Sequence, residues 1–180
     1  AAKAYGAQIT LVGRGEEILE VLKKNGIDTL PQGLEIAHAD EVVDMHDDPT
    51  KVISRKKNSS MVMGLRMLSE GQGDAFVSAG STGALLSGAT LIVKRVKGIR
   101  RAAMAPVIPT ATGQAVLIDC GANAECSVEY LVQFAYLGSF YASRALGIEK
   151  PRVGLLNIGA EDTKGDQLRL DTYKVLQAAG

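Results

Sequence analysis

The chain has 180 residues, enough for one domain with a sizeable core, and its 20 basic and 20 acidic side chains leave a net charge of about zero. That balance argues against nucleic-acid binding, while 46% hydrophobic but only 4% aromatic residues predict a core of aliphatic side chains. Its two cysteines and two histidines form no metal-ligand or disulfide pattern, which predicts a protein of the reducing cytoplasm without a metal site.

Strand-like and helix-like segments alternate along the whole chain. In chain order we predict the tail of a helix before residue 6, strands at 8–12 and 34–37 around a helix at 16–24, a helix starting at Asp48 and Pro49, a second helix capped by Ser59 or Ser60, a strand at 74–78, a helix at 82–96, strands at 102–108 and 115–119, a helix at 128–146, a strand at 151–158 and a helix at 167–179.

This alternation predicts an α/β fold, with a mainly parallel sheet flanked by helices in a single domain over residues 1–180. The chain begins in what resembles a helix and stops without a closing element, so we expect a fragment of a longer enzyme, incomplete at both ends. Ligands of such folds bind beyond the carboxyl ends of the strands. The loops that follow strands are therefore the candidate sites.

The first of these loops reads SAGSTG, from Ser78 to Gly83. Gly80 and Gly83 allow backbone N–H groups to converge, and Ser81 and Thr82 add hydroxyl donors at the start of a helix, whose dipole favours anions. The same residues also suit a simple N-cap on a buried helix. On this segment alone, an anion cradle and a cap are equally good interpretations.

The loop DCGANAE follows the predicted strand 115–119 and offers a carboxylate (Asp119), a flexible turn (Gly121) and an amide (Asn123). It is either a second polar loop on the same sheet edge or a turn in which Asn123 caps the next helix. Cys120 and Cys126 have no histidine near them in sequence, which favours packed thiols over nucleophiles.

Two further segments carry charge. In NIGAEDTKGD, Lys164 either pairs with Glu161 and Asp162 in a solvated loop or neutralises a phosphate or a developing oxyanion. In RKKNSS, from Arg55 to Ser60, three cations precede a helix start. That run is either a solvated face or a site for a phosphate or an acidic protein.

Six stretches, taken together, resemble the bacterial PlsX phosphate acyltransferases: HADEVV, RKKNSSM, SAGSTGALLSGA, KGIRRAAMAPVIPT, DCGAN and PRVGLLNIGAEDTKG. They occur in the family's order, between His38 and Gly165. The chain departs from the family at Ser81, where the family usually has Asn. An N-terminal segment with an Asp-Ala-Met-Gly-Gly-Asp motif and a C-terminal portion that meets the membrane are absent from this sequence.

The resemblance implies an α/β sandwich similar to phosphotransacetylases and isocitrate dehydrogenases. It implies that a fatty acyl group passes from acyl-acyl carrier protein to inorganic phosphate, giving acyl phosphate for phospholipid synthesis. It implies that the reaction uses no cofactor. It further implies a homodimer in the cytoplasm, with peripheral contact at the inner face of the membrane through the absent region.

The resemblance also suggests roles for individual residues, with Lys164 as the catalytic one. The phosphate-binding set would be Ser78, Gly80, Ser81, Thr82, Gly83, Gly121 and Asn123. The carrier-protein or substrate contacts would be Arg55, Lys56, Lys57, Asn58 and Ser59.

Three alternatives compete with this interpretation. A phosphotransacetylase that uses acyl-coenzyme A has the same fold class, and a non-catalytic carrier-protein docking domain would carry the same surface loops. A nicotinamide-dependent dehydrogenase is disfavoured because the sequence contains no GxGxxG motif with a following ribose-binding acid.

Overall fold

A computed structural model describes residues 2–179, leaving out Ala1 and Gly180. The chain forms two compact units, one ending at Lys94 and the other beginning at Arg95. The fold is mixed α/β, as predicted, and the prediction of one domain over residues 1–180 stays a prediction. The elements are α1 (Ala2–Tyr5), β1 (Ile9–Gly13), α2 (Gly15–Lys24), β2 (Leu34–His38), α3 (Val52–Arg55), α4 (Ser60–Ser69), α5 (Thr82–Gly88), a π-helical segment (Ala89–Val93), β3 (Val107–Thr110), β4 (Gly113–Val116), α6 (Val128–Leu146) and α7 (Gln167–Ala179).

The first unit begins with a β–α–β arrangement. Strands β1 and β2 pair in parallel, with Ile9 opposite Leu34 and Gly13 opposite His38. Helix α2 joins them and contacts both strands. A parallel pair needs such a crossover because a short turn cannot bring the second strand back in the same direction. The strands predicted at 8–12 and 34–37 and the helix at 16–24 are confirmed.

The core of the first unit lies among α3, α4 and α5. Its members are aliphatic, apart from one phenylalanine at the margin, as the composition predicts. The buried members are Val52, Ile53, Met61, Val62, Leu65 and Ala84, and the partly buried ones packed against them are Val43, Phe76, Leu85 and Ile92.

Two helical glycines allow close packing in this core. A Cβ on Gly64 would overlap the ring of Phe76, and a Cβ on Gly88 would overlap Leu65 Cδ1 and lie 3.2 Å from Ile53 Cδ1. Interiors packed at crystal-like density leave no room for an added methyl group. Both positions therefore require glycine for space.

The N-terminus of α4 is fixed by Ser59, which is fully buried. The Ser59 hydroxyl accepts a hydrogen bond from the Val62 N–H at 3.4 Å and donates one to the Lys56 carbonyl at 2.8 Å. An N-cap serine satisfies one of the donors that a helix start leaves unpaired. Of the two predicted caps, Ser59 is the one observed.

The second unit consists of a β-hairpin and two helices. Strands β3 and β4 pair antiparallel, with Val107 opposite Val116. Helix α6 contacts β4 and α7, and its fully buried Phe134 is part of the interior. The α6 boundaries match the predicted 128–146, and the predicted α7 at 167–179 is confirmed as well.

Several predicted elements are wrong in position or type. Segments 74–78 and 151–158 form no strand, and 94–96 lie outside the helical segment that ends at Val93. Strands predicted at 102–108 and 115–119 are shorter and shifted, and they form an antiparallel hairpin rather than members of a mainly parallel sheet. The helix expected from Asp48 begins only at Val52, because the Asp48 carboxylate accepts hydrogen bonds from the Thr50 N–H and hydroxyl in a preceding turn.

Candidate functional site

The serines of the SAGSTG loop are used to build the loop itself. Ser81 is buried and caps α5, its Oγ accepting from the Ala84 N–H at 3.4 Å. The Ser78 Oγ accepts from the Gly80 N–H at 3.2 Å. The capping interpretation is therefore realised for Ser81. The Ser81 cap does not use every hydrogen-bond donor of the loop, so other donors can contact a ligand.

Those donors belong to the first residues of α5. Thr82 is exposed, and within residues 2–179 the N–H groups of Thr82 and Gly83 have no hydrogen-bond acceptor. The helical backbone continues from α5 directly into the π-helical segment Ala89–Val93, and α5 packs against the turn before α3. A Cβ on Gly83 would come within 2.9 Å of Pro49 Cγ, so this glycine permits close approach.

The basic run from Arg55 to Ser60 divides into internal and exposed side chains. Lys56 is half-buried, and its ammonium donates to the Val42 carbonyl at 2.9 Å and to Asp47 Oδ2 at 2.6 Å. This hydrogen bond from Lys56 lowers the pKa of Asp47. Arg55 and Lys57 are exposed, so they are the two cations of the run that face solvent.

Asn58 and Ser59, which follow the three cations of this run, are hydrogen-bonded or bridged to Glu41. The Asn58 N–H donates to Glu41 Oε2 at 2.9 Å, and Ser59 forms an isolated bridge with Glu41. Because the Ser59 side chain is also buried as a helix cap, its surroundings give it an internal role rather than the predicted contact with a carrier protein. Asn58 keeps an exposed side chain.

In the second unit, the DCGAN loop folds around the carboxylate of Asp119. Backbone N–H groups of Met104, Ala122 and Asn123 donate to it at 2.8, 3.2 and 2.8 Å. The Asn123 amide nitrogen also donates to Asp119 Oδ2 at 3.0 Å and to the Ala102 carbonyl at 2.9 Å. The amide of Asn123 is thus turned into the loop, and Gly121 is left exposed at its tip.

Lys164 lies at a cavity of about 560 Å³ within the second unit. Its lining includes both apolar and charged side chains, and the lining residues are Ala135, Tyr136, Ser139, Pro151, Val153, Gly154, Leu155, Asn157, Gly159, Ala160, Glu161, Asp162, Lys164, Arg169, Leu170, Tyr173, Leu176, Gln177 and Ala179. Gly121 and Asn123 are not among these lining residues. The structure therefore does not gather Lys164 and the DCGAN loop around this cavity.

The backbone at Lys164 is held by its own loop. The Asn157 amide donates to the Lys164 carbonyl at 2.8 Å, and the Lys164 N–H donates to the Glu161 carbonyl at 2.9 Å. Within the described residues no carboxylate lies within 4.0 Å of the Lys164 ammonium, although Glu161 and Asp162 share its cavity. Sequence reasoning missed Asn157, whose role depends on a hydrogen bond seven residues along the chain.

The cysteines and histidines of the described part of the chain take other roles. Cys120 and Cys126 are unbridged and partly buried, and burial, followed by the charge of Asp119, raises the pKa of the Cys126 thiol. His38 accepts from the Gly15 N–H at Nδ1 and contacts Asp40 through Nε2 at 2.7 Å. Residues 2–179 contain no group of three His, Cys, Asp or Glu side chains placed to hold a metal ion.

Among the helices of residues 2–179, none combines the length and the apolar character that a membrane span requires. The longest, α6, carries Glu129 and Arg144 near its ends.

The family of this chain follows from comparison with known proteins. The chain belongs to the fatty acid synthesis protein family, whose model matches residues 1–180. This confirms the resemblance to the PlsX family that the six sequence stretches indicate.

Within this family, the chain is similar to curated proteins named phosphate acyltransferase. The chain is 46% identical over 177 residues to a phosphate acyltransferase of Desulforamulus reducens, covering 98% of this chain and 52% of that protein. It is 45% identical over 178 residues to one of Clostridium botulinum, strain Loch Maree, with the same two coverages. It is 46% identical over 175 residues to one of Desulfitobacterium hafniense, strain Y51, covering 97% and 51%. The chain spans about half the length of these relatives.

Proposed function

We propose that the full-length protein carrying this chain is a phosphate acyltransferase. It transfers a fatty acyl group from acyl-acyl carrier protein to inorganic phosphate and supplies acyl phosphate for phospholipid synthesis. The observation that carries the proposal is the match of 98% of the chain to relatives named phosphate acyltransferase at 45–46% identity. The free N–H groups at the start of α5 and the exposed Lys164 support it.

The chemistry is a direct acyl transfer. A phosphate oxygen attacks the thioester carbonyl carbon, a tetrahedral oxyanion forms, and the C–S bond breaks as the carrier thiolate leaves and takes up a proton. The phosphate, the tetrahedral intermediate and the leaving thiolate are all anions. Catalysis therefore depends on donors and cations placed where negative charge develops.

Lys164 is the proposed catalytic residue, because it is exposed, lines a partly apolar cavity and carries an ammonium that no described carboxylate neutralises. Lys164→Ala in the full-length protein should lower kcat by about 100-fold or more, as for other groups that stabilise a developing oxyanion. Acyl-phosphate formation from acyl-acyl carrier protein measures the effect. The exposed Lys150 provides the control, and Lys150→Ala should retain wild-type turnover. Wild-type turnover by a folded Lys164→Ala protein would contradict the assignment.

Phosphate is proposed to bind at the start of α5, through the Thr82 hydroxyl and the N–H groups of Thr82 and Gly83. Thr82→Val removes the hydroxyl at nearly constant shape, so the KM for phosphate should rise about 5- to 20-fold, the loss of one charge-assisted hydrogen bond. The KM for the acyl substrate should change little. Thr90→Val in the π-helical segment is the matched control. An equal rise in the KM for phosphate in both variants would contradict a phosphate site at Thr82.

The acyl-phosphate assay also distinguishes the alternative activities when acyl-acyl carrier protein and acyl-coenzyme A are compared as acyl donors. A phosphotransacetylase would prefer acyl-coenzyme A over acyl-acyl carrier protein, and a docking domain would bind the carrier protein without phosphate-dependent turnover. We propose the carrier-protein substrate, which the resemblance of the RKKNSSM and HADEVV stretches to the PlsX family supports.

We also propose that the full-length protein is a cytoplasmic homodimer with an α/β sandwich fold and peripheral contact with the inner face of the membrane. The parallel pair β1–β2 covered by α2 supports the fold, and the family resemblance supports the rest. A crystal structure tests the fold, light scattering the dimer, and sedimentation with anionic lipid vesicles the membrane contact. A monomer, or protein left wholly in the supernatant, would refute the corresponding part.

A further inference from the structure

Four N–H donors converge on one side chain in the second unit, the carboxylate of Asp119. Its Oδ1 accepts from the backbone of Met104 and Ala122, and its Oδ2 accepts from both the backbone and the side-chain amide of Asn123. The donors come from two separate segments, the loop itself and residues 102–104. Such a concave group of N–H donors is an anion-binding nest, and here an anion of the chain itself fills it.

The electrostatics agree with a filled nest. Partial burial by itself would raise the pKa of Asp119, but the hydrogen bonds from Met104, Asn123 and Ala122 outweigh burial and hold the pKa below its usual value. The carboxylate is therefore ionised at neutral pH and is a weak base. Because each of its oxygens already accepts two hydrogen bonds, Asp119 is unsuited to proton transfer in the reaction.

The same geometry changes the role of Asn123. Its amide nitrogen has two hydrogens, and these go to the Ala102 carbonyl and to Asp119. Phosphate needs donors, and the amide has none left unless one of these bonds breaks. The part of the loop that still presents backbone to solvent is Gly121, whose φ of +124° suits a glycine at a turn tip.

We propose that Asp119 is a positioning residue, which locks the DCGAN loop to residues 102–104 by filling its anion nest, and that Asn123 completes this nest instead of binding phosphate. The effect on catalysis rests on the proposed acyltransferase function. The filled nest itself does not, because it is a property of the folded protein.

The first test is chemical replacement of the carboxylate. In the full-length protein, Asp119→Ala leaves four donors without an acceptor, so the Tm should fall by roughly 5 °C or more. When acetate or formate replaces chloride at constant ionic strength, in phosphate-free buffer, the Tm of this variant should recover with saturation. The wild type and Glu149→Gln, an exposed acid of the same unit, should not respond.

Asp119→Asn is the matched variant, because it keeps the volume and fills the nest with a neutral amide. It should be destabilised and should show no recovery in acetate. An unchanged Tm in Asp119→Ala, or the same acetate response in the wild type, would overturn the proposal. Neither readout depends on enzymatic activity, so failure here is distinct from failure of the proposed function.

The second test uses the kinetics of Asn123→Ala in the same protein and remains decisive if Asp119→Ala does not fold. A positioning role predicts a lower kcat with a KM for phosphate within about 3-fold of the wild type, because the lost bonds are internal. A large rise in the KM for phosphate at unchanged kcat would show that Asn123 binds phosphate directly, and would overturn the proposal.

Discussion

At the scale of single residues, the three neighbouring cations Arg55, Lys56 and Lys57 carry the same formal charge but have different surroundings. The Lys56 ammonium donates hydrogen bonds to Asp47 and to the Val42 carbonyl, whereas Arg55 and Lys57 face solvent. An acidic protein partner can be attracted only by charges that it can approach. The exposed pair therefore remains the proposed contact with the carrier protein, and Lys56 belongs to the internal structure.

Replacing the exposed pair tests this division. Arg55→Ala combined with Lys57→Ala should raise the KM for acyl-acyl carrier protein by about 3- to 10-fold at low salt, because fewer charges steer the encounter. The effect should shrink as salt rises, since exposed charges are screened beyond about 10 Å at 0.1 M, and kcat should stay constant. The exposed pair on α2, Lys23→Ala with Lys24→Ala, is the control. Equal effects from both pairs would show nonspecific attraction.

The loop residues show where sequence reasoning ends at this scale. The Ser59 cap could be predicted because helix capping is local and depends on residues three positions apart. The inward turn of Asn123 could not, because it depends on the Ala102 carbonyl, which is 21 positions away. Donor and acceptor types are visible in a sequence, but their partners are set by tertiary contacts.

At the scale of elements, the sequence predicts helices more accurately than strands, for a related reason. Helix α6 has its predicted boundaries, since its backbone hydrogen bonds are local and Ser127 and Gly147 mark its ends. A strand exists only beside another strand. Segments 74–78 and 151–158 have strand-like composition, yet no strand of residues 2–179 pairs with them, and Val77 and Ile158 remain highly exposed.

Helix packing at this scale leads to a steric prediction at Gly88. Gly88→Ala should destabilise the protein by about 1–3 kcal/mol, because the added methyl group overlaps Leu65 and presses on Ile53, which outweighs the better helix propensity of alanine. Urea unfolding measures the free-energy change. Gly154→Ala is the control, because its added Cβ would meet no described atom within 4 Å. A stabilised Gly88→Ala protein would show that α4 and α5 are packed less closely.

At the scale of the whole molecule, the boundary between the two compact units falls between residues 94 and 95. The segment that joins the two units is exposed from Lys94 to Gly98 and carries a series of trypsin sites: Lys94, Arg95, Lys97, Arg100 and Arg101. It contains no helix or strand. Proteases cut first where an exposed backbone lacks such protection.

Limited trypsin digestion of the full-length protein should therefore cut first between Lys94 and Arg101, before the exposed lysines of α2 at 23 and 24, which a helix protects. Mass spectrometry of the early fragments identifies the site, and chymotrypsin is the control, since residues 94–101 contain no aromatic residue. Early cleavage there, with each unit resisting further digestion, is expected if each compact unit is also a unit of stability. Early cleavage inside α4 or α6 would instead mean that the two compact units are not units of stability, because local opening follows the least stable packed unit.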